Sequence, residues 1–107
     1  MSLDVHLTVV CPTEVHWSNI THNLGKMAKQ AGIYQELWRP DEIGITHANQ
    51  LIEPLTKGLA KLKSDPDHYK KFNPSNGWGD YYDLVWFVEN YLEACQNNPE
   101  AEVRASR

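Results

Sequence analysis

The sequence predicts an α+β fold: a small antiparallel sheet, built from an N-terminal hairpin and a C-terminal strand, packed against three main helices. Three observations point there. The N-terminal residues alternate apolar with polar, three later segments repeat apolar residues at helical spacing, and a short extended segment closes the chain.

In "DVHLTVV", Val5, Leu7 and Val9 alternate with His6 and Thr8, the period of a half-buried strand. "CPTE" reads as a turn and "VHW" as the start of a short returning strand. From Ile20, the residues Leu24, Met27, Ala28 and Ala31 recur at helical spacing and stop at Gly32, a favourable helix terminator. A second stripe runs from His47 through Ala48, Leu51, Ile52, Leu55, Leu59 and Leu62. Pro54 sits inside it and predicts a kink or break near Gln50 to Glu53. The clearest stripe begins after Asp80, with Tyr81, Leu84, Val85, Val88, Tyr91, Leu92 and Cys95. Beyond the Asn97-Asn98-Pro99 break, "AEVRAS" is a third extended segment. It is expected to pair with the N-terminal strand, because either alone would leave backbone groups unpaired.

With 107 residues, 41% hydrophobic and 22% charged, the chain is expected to form one globular domain, residues 1–107. Its 14 acidic residues outnumber its 10 basic ones, for a formal charge of −4, which argues against a DNA or RNA polymer as partner. Lys57, Lys61, Lys63, Lys70 and Lys71 read as a solvated helix face. The first residues lack the pattern of a secretory leader. No apolar run approaches the roughly 20 residues that cross a bilayer. A cytoplasmic protein without a membrane partner is therefore expected, with Cys11 and Cys95 as reduced thiols. Cys95 falls on an apolar helix face, as a small core residue.

The chain writes almost the same thing twice: "NITHN" at Asn19 to Asn23 and "ITHAN" at Ile45 to Asn49. Both stand before a helical stripe, so Thr21 and Thr46 are expected to cap helices, with Asn19 an equal candidate for the first. Capping does not account for His22 or His47. His22 lies on the polar side of its helix, where it faces solvent or a cleft, and a helix N-terminus favours its neutral form. A metal site needs three or four convergent ligands. The histidines show no H-x-x-H or H-E-x-x-H spacing, although His6 and His16 can meet across a hairpin. No cofactor-binding fingerprint occurs, and no nucleophile-and-base pattern.

Two loops carry more recognition chemistry than a connection needs. "ELWRPDE" sets Trp38 beside Arg39, and "FNPSNGWGDYY" sets Asn73, Asn76 and Trp78 around two glycines. An aromatic face stacks on planar rings, arginine forks onto phosphate or carboxylate, and asparagine reads polar edges. The alternative is structural: tryptophans under turns and asparagines in local turn bonds. On the third helix, Tyr82 and Trp86 share the side of Glu89 and Glu93, opposite the apolar stripe. Two aromatics on a polar face need a cover, from the fold itself, a second subunit of a homo-oligomer, or a partner.

The segments "MSLDVHLTV", "NITHNLGKMA", "LWRP" and "FNPSNGWG" and the closing "SR" resemble a family of small uncharacterised proteins of bacteriophage and bacterial genomes. The resemblance spans nearly the whole chain and implies a genomic setting, with no activity to carry over. Small acidic phage proteins without catalytic motifs are often counter-defence factors, and by that association the resemblance implies such a role. Three functions follow. The first is a non-enzymatic protein that sequesters a nucleotide-like immune signal through Asn19, His22, Asn23, Trp38, Arg39, Asn76 and Trp78. The second is an inhibitor of a host defence or CRISPR-type protein, acting through Tyr82, Trp86, Glu89 and Glu93. The third is a small hydrolase with His22 or His47 as base. No catalytic residue, metal ligand or cofactor is assigned.

Overall fold

The computed structural model describes residues 2–9, 13–75, 77 and 79–106. Asn76 and Trp78, two of the expected ligand residues, lie outside the described residues, as do Cys11 and Pro12 of the expected turn and the final arginine. Strand β1 (Ser2–Val9) pairs antiparallel with β2 (Thr13–Thr21) and with β3 (Glu102–Ser106), giving the order β2-β1-β3. This is the expected sheet. Leu3, Val5 and Leu7 point inward and are fully buried, opposite Ile20, Ser18 and His16 of β2. Asp4 and His6 point outward, opposite Asn19 and Trp17. The register slips between Leu7 and Thr8, where Val15 has no partner of its own on β1.

The hairpin is longer than expected. β2 continues through Asn19 and Ile20, so Ile20 is a strand residue facing Leu3 rather than the start of a helix. Its spacing from Ser18 and His16 suits an inward strand position just as its spacing from Leu24 suits a helix; pairing with β1 decides the matter. A 3-10 turn, His22–Leu24, leads into helix α1 (Gly25–Gln30). α1 ends as expected. Gly32 has φ +79°, the Ile33 N–H donates to the Ala28 carbonyl (3.0 Å), and the Gly32 N–H to that of Lys29 (3.1 Å).

Short helix α2 (Tyr34–Trp38) precedes a 3-10 turn at Pro40–Ile43. Helix α3 (Asn49–Ser64) then runs through Pro54 as one helix, so of the expected kink or break the break does not occur. Proline there forfeits a bond to the Gln50 carbonyl, while Leu51, Leu55 and Leu62 on either side stay fully buried. Gly58 lets α3 approach α2: a Cβ at Gly58 would lie 2.2 Å from Ile33 Cγ2. Helix α4 (Pro66–Lys70) is followed by α5 (Tyr81–Asn97). Asp80 caps α5 as expected, accepting from the Asp83 N–H (3.0 Å) while Asp83 accepts from its own (3.1 Å). Asn73 accepts from the Tyr81 N–H (2.8 Å), giving this loop asparagine a structural task.

The stripe of α5 faces the core as predicted, with Phe87 added and Val85 only half-buried. Helix α5 packs against β2 on the inner side of the sheet, and α3 packs against α5. Among the described residues, no helix is long and apolar enough to cross a membrane.

Candidate functional site

The two similar triplets fold differently. Thr21 ends β2 in extended geometry, and its hydroxyl accepts from the Asn23 N–H (3.3 Å), the expected cap on a 3-10 turn. Thr46 is not a cap of that kind. The Gln50 side chain reaches back instead, accepting from the backbone N–H groups of Thr46 (2.7 Å) and His47 (2.9 Å). His47 pairs as an antiparallel bridge with Glu102, ahead of the helix rather than within it. The triplet is thus tied to the start of β3 before α3 begins.

His22 and Trp38, both expected at a ligand site, do meet. The indole N–H of Trp38 donates to His22 Nδ1 at 2.7 Å, their rings lying 6.2 Å apart. Trp38, however, is only 2% exposed, and Tyr34 stacks on it at 5.3 Å with the rings 12° apart. Its face is not offered to a ligand, which corrects the expected stacking role. The same bond fixes the histidine. An obligate donor at Nδ1 places the proton of a neutral His22 on Nε2, so the outer nitrogen donates rather than accepts.

Arg39 is half-buried at the edge of this cluster, beside Tyr34. Its Nη1 donates to Glu42 at 2.6 Å, and hydrogen bonds to Glu42 first, then Tyr34, raise its pKa above the usual value. With Lys29, Gly32, Tyr34, Gln35 and Glu36 it lines a hollow of about 470 Å3. Asn23 is exposed beside its cap. Asn19 lies elsewhere, lining a second hollow of about 270 Å3 with Ile20, Thr21, Gly79, Asp83, Trp86 and Phe87. The described members of the expected ligand set therefore divide between two places.

The second hollow joins the "NITHN" segment to the glycine loop. Gly79 packs against it so closely that a Cβ would lie 2.7 Å from Thr21 Cγ2. Its positive φ of +91° suits glycine as well. Trp86 forms a wall of this hollow and is 64% exposed; Tyr82, one turn earlier, is 62% exposed. The Lys70 ammonium sits 4.9 Å from the Tyr82 ring centre, and a hydrogen bond to Tyr82 is the main cause raising the Lys70 pKa. Glu93 is exposed, and Glu89 is 3.5 Å from Lys63.

Elsewhere the candidate chemistry separates. His6 contacts Glu14 and Trp17 on the outer face of the sheet. His16 faces inward, stacked on Tyr91 at 5.7 Å, and desolvation there lowers its pKa despite the opposing charge of Glu14. The two histidines share a hairpin but not a face, so they do not meet. Among the described residues, no group of three or more His, Cys, Asp or Glu is placed to hold a metal. Burial pushes the Cys95 thiol up to about 12, the state of an unreactive core cysteine.

Sequence reasoning missed Trp17, 53% exposed on the outer sheet face. Counting by twos back from Ile20 as a strand residue would have placed it outward. It also missed Lys29 and Tyr34, which flank Arg39; Tyr34 stands four residues before Trp38, the helical spacing that makes side-chain neighbours. Comparison with family models, characterised proteins and solved structures finds no match.

Proposed function

We propose that this is a non-enzymatic binding protein that captures a partner protein through the exposed face of α5, with Trp86 as anchor. The carrying observation is Trp86 itself: 64% exposed, one turn from an exposed Tyr82, and beside a hollow. Exposed tryptophan and tyrosine side by side on an otherwise acidic helix face are costly unless something covers them. Hot spots of interfaces have this composition, an aromatic anchor next to a pocket that a partner side chain fills. Asp83, Glu89 and Glu93 around them favour a partner surface that is apolar at its centre and basic at its rim. A host defence protein with such a surface suits the phage and bacterial setting implied by the resemblance.

The competing readings have less behind them. Sequestration of a nucleotide through the full expected set lacks Trp38 as a platform, and Asn19 faces a different hollow from Arg39. A hydrolase with His22 as base is disfavoured because the nitrogen that would take a proton already carries one.

The test uses affinity capture from a bacterial lysate with wild type and Trp86→Ala, after both are shown to melt alike. A partner retained by wild type should be lost by the variant, by about thirtyfold in affinity if Trp86 contributes about 2 kcal/mol. Equal capture by both proteins would sink the proposal. If wild type instead dimerises and Trp86→Ala is monomeric, the occupant of this face is a second copy.

A further inference from the structure

We infer that the hollow beside α2 binds a small anion joined to a planar ring, of the nucleoside monophosphate class, with Lys29 and Arg39 holding the anion and Tyr34 supporting the ring. This site is independent of the α5 face. Its two cations lie in a protein of net charge −4, where such a concentration is not dictated by composition. A third ammonium is close by: Lys61 Nζ lies 3.6 Å from where a Gly32 Cβ would stand.

The parts are held in place. Tyr34 is stacked on buried Trp38, whose indole N–H is fixed by His22, so the aromatic wall is braced from behind through two successive contacts. Arg39 is oriented by Glu42 and by Tyr34, and a guanidinium has more N–H donors than these two bonds use. Such pre-orientation reduces the ordering cost of binding. Lys29 lies over the Tyr34 ring, its ammonium 4.7 Å from the ring centre. That exposed contact is weak. A planar ligand can take its place on the ring while the ammonium follows the attached phosphate. Gly32, with no side chain, leaves the rim open, and about 470 Å3 is within the ordinary range for small-molecule sites. Glu36 on the same wall opposes a highly charged ligand and favours one with a single phosphate.

Isothermal titration with adenosine monophosphate, inorganic phosphate and adenosine, at low salt, tests the proposal. The monophosphate should bind, more tightly than phosphate or adenosine alone. Arg39→Ala should weaken it about tenfold, the usual scale for one charge-assisted hydrogen bond. Lys29→Ala should weaken it less. Lys57→Ala removes an equal charge from an exposed pair with Glu53 and should change nothing. Tyr34→Phe keeps the ring and removes only the hydroxyl's bond to Arg39, so it should weaken binding less than Arg39→Ala; a loss as large as that of Arg39→Ala overturns the role given to the ring. No heat from a folded protein at millimolar monophosphate overturns the proposal, as does equal weakening by Lys57→Ala and Arg39→Ala. Phosphate binding as tightly as the monophosphate overturns the role given to Tyr34. Trp86→Ala bears only on partner capture, so the two proposals fail separately.

Discussion

The chain contains two tyrosine-tryptophan pairs at identical spacing, "YQELW" in α2 and "YDLVW" at the start of α5, and the fold treats them oppositely. In the first, Trp38 is 2% exposed, stacked by Tyr34 and hydrogen-bonded to His22. In the second, Tyr82 and Trp86 stand in solvent. Local sequence does not distinguish them, since both sit on helices with acidic neighbours. Their surroundings do. α2 is a short helix packed against α1, α3 and β3, and its Leu37 and Trp38 are buried among them. α5 is long and amphipathic, and its inner side already satisfies the core with Phe87, Tyr91 and Leu92. The first pair serves the fold, and the second is left for something else.

That contrast can be broken most sharply at Trp38. Trp38→Ala should cost about 3–5 kcal/mol of stability, the range for removing a buried aromatic, read as a large fall in Tm. A loss below about 1 kcal/mol would mean that the two pairs are not different in kind. Next in size is His22→Ala, which takes away the acceptor of a buried indole N–H and should cost about 1–3 kcal/mol. Thermal or urea unfolding measures both. Trp86→Ala should fall within about 0.5 kcal/mol of wild type by the same measurement, as an exposed substitution does.

The inner side of α5 offers the smallest effect. Burial against Tyr91 lowers the His16 pKa in the folded state below its ordinary 6.5. The unfolded chain then binds a proton more readily than the folded one. The stability His16 supports is intact above pH 6.5 and declines as pH falls from there through the lower folded value. His16→Gln should flatten that part of the stability profile. An unchanged slope between pH 7.5 and 5 would show that His16 is not the group responsible.

Much of the fold was legible in the sequence. Alternation marked β1, the apolar stripe and Asp80 marked α5, Gly32 marked the end of α1, and the need to pair backbone groups joined β3 to β1. What was not legible depended on partners distant in sequence. Ile20 fits both a helical and a strand period, and only its pairing with Leu3 decides. Thr46 has the residue type and position of a cap, but the side chain that accepts from this turn belongs to Gln50, four residues later. Pro54 signals a kink or break by type, but it forfeits a single bond and buried leucines on either side keep the helix continuous.

The candidate site was legible in its parts and not in its grouping. Arg39, Asn19 and Trp86 were all singled out, yet Arg39 belongs with Lys29 and Tyr34, whereas Asn19 belongs with Trp86. The first draws Lys29 of α1 beside Tyr34 and Arg39 at the two ends of α2, and the second joins β2 to α5 across most of the chain, so neither follows from a single periodic stripe. His22 and Trp38 were named for a ligand and instead bind each other, a use of polar aromatics that residue type alone cannot separate from recognition.

The opposed fates of the two pairs are tested most directly by hydrogen exchange at the tryptophan indole N–H groups of the isolated monomer, resolved by NMR and assigned with Trp→Phe variants. The Trp38 indole should be strongly protected by burial and its bond to His22, while the Trp86 indole should exchange at close to the rate of free indole. A protected Trp86 in the monomer, or a Trp38 that exchanges as fast, would contradict the account.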